Sequence, residues 1–135
     1  MPGRPSRARA ETALRSHPKR VLCVDDDPDT CSMLCGLLGL IDCHASGVGT
    51  AAEALAQIAR GRFDLYLLDN WLPGGGGVEL CRKIRESDPS TPIVFYSGAG
   101  LESEREEALA AGAQVYLVKP ADVAVLVETV RRLLR

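Results

Sequence analysis

Four places in this chain carry side chains able to do chemistry together. Asp25, Asp26 and Asp27 put three carboxylates in a row, Asp69 follows a separate apolar run, Ser97 offers a hydroxyl and Lys119 an ammonium. Gathered carboxylates repel one another unless a cation sits among them. Hard oxygen donors point to Mg²⁺ or a similar divalent ion. A lysine beside acids and metal suits a ligand that brings its own negative charge, which suggests phosphate. An aspartate can itself be the nucleophile in phosphoryl transfer, with metal and lysine neutralising the developing charge.

The elements that must position these groups alternate between two periods. Residues 21–25 form a short apolar run ending in acids, which reads as a buried strand. Asp27 is placed to cap a helix that Pro28 opens, and Met33, Leu34, Leu37 and Leu38 recur at helical spacing. Residues 42–46 read as a weaker second strand. Ala51, Ala54, Leu55 and Ile58 line a second helix that ends at Gly61. Residues 63–69 are a third strand, followed by Leu72-Pro73 and four glycines in a loop. Val78, Leu80, Cys81 and Ile84 carry a third helix up to Asp88-Pro89. Residues 92–97 and 114–118 read as the fourth and fifth strands, with an acidic helix over 102–111 between them. A last helix over 122–134 has Val123, Leu126, Val127, Val130 and Leu134 on one face. Five strands alternating with five helices imply an α/β fold, a parallel sheet covered on both faces. Such sheets bind ligands beyond the carboxyl ends of their strands. Asp25, Asp26, Asp69, Ser97 and Lys119 all terminate strands, so one edge should gather them.

Composition narrows the function classes. A length of 135 residues allows one domain, and 46% hydrophobic with 25% charged residues is ordinary globular composition. Aromatics at 4% leave no platform for stacking bases, and no apolar run is long enough to span a bilayer. Residues 1–20 hold six basic residues against Glu11 alone, leaving ten basic and seventeen acidic residues in the remainder. The acidic body gives no basic face for nucleic acid. Residues 1–18 read as a basic, flexible arm and 19–135 as the folded domain. Five cysteines without paired spacing favour free thiols and a cytoplasmic setting.

The motifs, taken in order, resemble the receiver domain of bacterial two-component response regulators. They are Val21-Leu22-Cys23-Val24-Asp25-Asp26-Asp27-Pro28; Asp64 through Asp69; Leu72-Pro73-Gly74 and Gly77; Ile93 through Gly98; Gly112-Ala113; and Tyr116-Leu117-Val118-Lys119-Pro120. The resemblance covers residues 19–135. It implies a flavodoxin-like five-stranded parallel sheet in the order 2-1-3-4-5 with helices on both faces. It implies that Asp69 accepts a phosphoryl group from a histidine kinase or a histidine phosphotransfer protein. Asp25, Asp26 and Asp69 would then hold Mg²⁺ together with the backbone carbonyl of Trp71. Lys119 would pair with the phosphoryl group, Ser97 would move toward it, and Tyr116 would be the aromatic that swings inward. The Lys119-Pro120 peptide would be cis. A downstream protein, or a second copy in a homodimer, would dock on the surface of the fourth helix, fifth strand and last helix. The implied protein is a phosphorylation-dependent switch, with no enzyme activity beyond its own phosphorylation and dephosphorylation. Neither nucleic acid nor membrane is expected as a direct partner. Three departures stand out: Gly76 where many members carry an acid, the bulky Trp71, and Gly98 after the switch hydroxyl.

Other readings remain open at this level. The chain is either a stand-alone receiver or the receiver part of a longer regulator or hybrid kinase. An aspartate-nucleophile phosphatase needs a general acid two residues after Asp69, where Trp71 stands. A flavin carrier needs a hydroxyl-rich loop after the first strand, where three aspartates would repel the flavin phosphate. Residues 74–77 lack the Gly-Lys-Ser/Thr ending of a phosphate-binding loop. Cys31 and Cys35 share a helix face but lack His or acid partners at ligand spacing, so they are expected to pack as small hydrophobes. His17 and His44 have no evident partner.

Overall fold

The computed structural model describes residues 17–120 and 123–135. The basic arm therefore lies almost wholly outside the described residues. The elements run β1 (Lys19–Val24), α1 (Pro28–Gly39), β2 (Cys43–Val48), α2 (Ala51–Arg60), β3 (Leu65–Leu68), α3 (Gly77–Ser87), β4 (Ile93–Ser97), α4 (Glu102–Ala110), β5 (Val115–Val118) and α5 (Val123–Leu133). The five strands form one parallel sheet in the order β2-β1-β3-β4-β5, as the motifs imply.

Successive strand residues point to opposite faces, so each run feeds two cores. Leu22, Val24, Tyr66, Leu68 and Phe95 face Ala54, Leu80, Ile84 and Ala108, on α2, α3 and α4. Val21, Cys23, Leu65, Leu67 and Val94 face Leu34, Leu38, Leu126 and Val130, on α1 and α5. Both faces of the sheet are dry, which is why its strands read as unbroken apolar runs.

Helix starts follow local chemistry. Asp27 caps α1 by accepting from Asp29 N–H at 3.1 Å and from the Thr30 hydroxyl at 2.7 Å. Those two bonds hold its carboxyl below the usual aspartate range. Thr50 caps α2 through Glu53 N–H, while the Glu53 carboxylate reaches back to Gly49 N–H at 2.9 Å.

The structure departs from the expected pattern at several points. Met33 is 42% exposed although it shares the α1 spacing, because Leu34 and Leu38 alone suffice to seal that face. Val123 is also exposed, whereas Leu126 and Val130 are buried against the sheet and Leu133 packs partly buried beside them. The second strand starts one residue later than expected and runs on to Val48, because Asp42 adopts a positive φ of 63°. The four-glycine run is split: Gly74 and Gly75 turn with positive φ, whereas Gly77 already belongs to α3.

Candidate functional site

The sheet register gathers the polar groups. Val24 pairs with Leu68, so Asp25 and Asp69 leave adjacent strands side by side. Asp69 N–H donates to Val24 O at 2.8 Å, and Asp25 N–H to Val48 O at 3.0 Å, extending the ladder one residue past each strand. Ser97 pairs with Val118, and Lys119 N–H donates to Ser97 O at 2.8 Å, which pins the lysine beside the hydroxyl strand. The Lys119-Pro120 peptide is cis.

Asp25 and Asp69 are buried, at 3% and 7% exposure, while Asp26 faces solvent. One oxygen from each of the three carboxylates lies within 4.8 Å of the others. Lys119 Nζ sits 2.6 Å from Asp25 Oδ2 and 3.5 Å from Asp69 Oδ2, and 5.5 Å from the centre of the Tyr96 ring. Burial pushes the Lys119 ammonium toward the neutral form. Its bond to Asp25 and the charges of Asp69 and Asp25 outweigh that and hold its pKa above the usual lysine value. One cation against three clustered carboxylates leaves negative charge uncompensated. Among the described residues the Asp26 carboxylate has no hydrogen-bond or ion-pair partner. Three hard oxygen donors with one free carboxylate fit a small divalent cation, Mg²⁺ above all.

Ser97 is fully buried, and its Oγ accepts from Ala99 N–H at 3.2 Å. Tyr116 already points inward. Its hydroxyl donates to Ala99 O at 2.6 Å, and its ring stacks on Phe95 with centroids 5.5 Å apart. Burial raises the Tyr116 pKa, so the phenol stays a donor. Trp71 N–H leans toward Asp69 Oδ1 at 3.4 Å. Trp71 is 62% exposed, and its ring lies over Gly98, with one ring carbon 3.7 Å from where a Cβ there would stand.

Two contributors were not assigned roles from sequence. Gly77 follows the loop closely enough that a Cβ would run into the Asp69 carbonyl oxygen and lie 2.9 Å from the Phe95 ring. Gly77 N–H closes that loop onto Asn70 O at 2.8 Å. The Asn70 side chain lies near enough to the Tyr116 hydroxyl to oppose, in part, the rise that burial gives its pKa. Its position directly after Asp69 was the only signal in the sequence.

Residues 21–131 match the family model of the response regulator receiver domain. The chain belongs to that family. Over 117 residues this receiver is 36% identical to the response regulator protein PilR of Pseudomonas aeruginosa, covering 87% of this chain and 26% of PilR. It is likewise 36% identical to the DNA-binding response regulator MtrA of Mycolicibacterium smegmatis, covering 87% of this chain and 51% of MtrA. The receiver thus spans about half or less of these relatives. A two-component response regulator from Clostridium difficile superposes with a TM-score of 0.83 at 31% identity, covering 87% of this chain and 96% of that one. The BeF3-activated DrrB receiver domain gives 0.81 at 26%, covering 87% and 97%. Among the described residues no helix of the receiver is long and apolar enough to cross a membrane.

Proposed function

We propose that this receiver takes a phosphoryl group onto Asp69 from a phosphohistidine of a histidine kinase or phosphotransfer protein, and passes the signal on by protein contacts. The observation that carries this reading is the setting of Asp69, a buried carboxylate with an ammonium 3.5 Å away and two further carboxylates within ligand distance. An Asp69 carboxylate oxygen attacks phosphorus, an acyl phosphate forms, and the bond from phosphorus to the donor imidazole breaks, leaving the imidazole with the electron pair. Lys119, already charged, balances the incoming oxygens. Ser97 Oγ turns from Ala99 N–H to donate to one of them. Asp25, Asp26 and Asp69, with the Trp71 carbonyl, would hold Mg²⁺. When bound, the ion supplies positive charge against the phosphoryl oxygens as charge builds on them. Water attacking the same phosphorus returns Asp69, so the chemistry is self-phosphorylation and dephosphorylation.

The phosphoryl group adds about −1.5 to −2 charge at neutral pH, as on phosphorylated hydroxyls. Ser97 and Lys119 feel it first, and both adjoin β5. Leu101, Val118, Val123 and Val125 leave apolar area exposed around α4, β5 and α5. We assign that face to a downstream protein or a second copy of the chain. The domain is taken as residues 19–135, acting in the cytoplasm and without direct nucleic-acid contact.

The test is incubation with acetyl phosphate and Mg²⁺, read by intact mass. The expected outcome is one added phosphoryl group, labile at alkaline pH. Asp69→Asn should take up none while its melting transition remains cooperative. Undiminished labelling of that variant would overturn the assignment, and continuous turnover of the donor would indicate a phosphatase instead.

A further inference from the structure

A cleft of about 420 Å³ opens at the amino-terminal edge of the sheet, at the opposite end of the strands from the clustered carboxylates. That volume falls in the range of about 300–1,000 Å³ usual for small-molecule sites. The cleft sits between the carboxyl ends of α2 and α3, where Gly61 and Asp88 close the two helices. Ile58 and Pro89 supply apolar wall, and Arg62, Ser87 and Ser90 supply polar wall. Tyr66 of β3 lies beneath them and is only 2% exposed.

The Tyr66 hydroxyl is the unspent group. It forms no hydrogen bond with any described residue, whereas the buried Tyr116 hydroxyl donates to Ala99 O. Among the described residues the only fully enclosed side-chain oxygen without a partner is on Glu104. The unbonded Tyr66 oxygen is therefore not enclosed, and the open space it meets is the cleft. A buried hydroxyl that the chain leaves unpaired takes its partner from outside. Burial, and after it the Asp88 charge, hold the Tyr66 pKa above the usual tyrosine value, so the phenol is a donor. Asp88 is the one acid in the lining, and its carboxylate is already taken by Ser90 N–H, Thr91 N–H and the Thr91 hydroxyl. Arg60 and Arg85, in the last turns of α2 and α3, offset the negative ends of those helices. Arg62 is exposed and forms no ion pair among the described residues. Its backbone is fixed by Arg20, whose guanidinium donates to Arg62 O at 2.7 Å. The cleft thus offers one unpaired cation, donating hydroxyls and an apolar wall, with no unspent carboxylate.

We infer that this cleft binds a small carboxylic acid with an apolar body, its carboxylate held by the Tyr66 hydroxyl and Arg62. One carboxylate oxygen accepts from the phenol while the other pairs with the guanidinium, and such charge-assisted bonds are the strong ones. Ser87 and Ser90 can donate at the rim. The body of the ligand lies on Ile58 and Pro89, where its removal from water adds to binding. Inorganic phosphate would meet the charge but leave the apolar wall wet. A neutral amide would meet the hydroxyl but not the charge.

The experiment titrates the full chain with sodium benzoate at constant ionic strength and follows the backbone amide resonances. Benzamide and inorganic phosphate are titrated in parallel. The expected result is saturable shifts around residues 61–66 and 87–90, with benzoate binding in the millimolar range and several-fold tighter than either of the others. Tyr66→Phe, which keeps the ring, should weaken benzoate several-fold while melting as cooperatively as the parent. Arg62→Gln, a change at an exposed residue, should erase the preference for benzoate over benzamide. Absence of saturable shifts, shifts mainly around Asp25 and Asp69, benzamide or phosphate binding as tightly as benzoate, or unaltered benzoate affinity in both variants would each overturn the inference. None of these readouts depends on Mg²⁺ or on phosphorylation of Asp69.

Discussion

The two ends of the sheet use polar residues in opposite ways. At the amino-terminal end of the strands, Asp64, Asp88, Arg85 and Gln114 are spent largely on backbone. Asp88 accepts from Ser90 N–H, Thr91 N–H and the Thr91 hydroxyl. Gln114 Oε1 accepts from Ile93 N–H at 2.6 Å and from Arg85, whose guanidinium also holds Gly112 O. Asp64 accepts from Arg20 N–H at 2.7 Å. At the carboxyl-terminal end, three carboxylates meet one lysine, and among the described residues Asp26 has no partner. Satisfied groups at one end fasten loops, whereas like charges at the other are a cost that only a ligand removes. Polar residues at strand ends are thus not informative by type. What distinguishes a site from a brace is whether the folded chain itself completes their bonding.

That contrast can be broken by substitution. The largest effect is expected at Gly77, where the chain passes tightest behind the site. Gly77→Ala should lose about 2–3 kcal/mol in denaturant unfolding, since the loop and Asp69 must shift to admit the methyl. Gly36→Ala, in α1 with open space around it, should instead gain about 0.5–1 kcal/mol from helix propensity alone. Next comes the brace end. Gln114→Ala strands the N–H of the buried Ile93 and should cost about 1–3 kcal/mol, leaving Mg²⁺-induced stabilisation unchanged.

At the site end the expected effects are smaller. Trp71 lies over Gly98 at the mouth, where its ring would hinder water approaching phosphorus. Phosphorylated Trp71→Asn should hydrolyse several-fold faster than the parent, about 1 kcal/mol on the barrier, as followed by loss of the mass adduct. The emission of this sole tryptophan should respond to Mg²⁺ and to beryllofluoride. Finally, Asp26→Asn removes one exposed like charge. It should raise metal-free stability by up to about 1 kcal/mol and abolish the Mg²⁺-induced rise in melting temperature. A metal-free loss of stability would show that Asp26 is a brace after all.

Much of the frame was legible along the chain because its signals are local. Apolar runs of four to six residues marked the strands, Asp27-Pro28 marked the start of α1, and Asp25, Asp26, Asp69, Ser97 and Lys119 each fell at a strand end. What misled was helical spacing at Met33 and Val123. An apolar residue at the right interval still faces water when its neighbours have covered the available sheet. The glycine run was equally ambiguous, because four identical residues carry no mark of which one meets the Asp69 carbonyl.

The sequence by itself determined the alternation of elements, which polar residues end the strands and, through their family pattern, the sheet order. These rest on side-chain chemistry and on periods of two and 3.6, which a linear chain displays in full. Only the tertiary structure decided how the charges are shared, with Lys119 2.6 Å from Asp25 and 3.5 Å from Asp69. It alone placed the Trp71 ring over Gly98 and turned Tyr116 inward onto Ala99 O. These are relations between residues far apart along the chain or on different elements. Their distances are fixed by how helices and loops pack onto the sheet, and no local pattern encodes that.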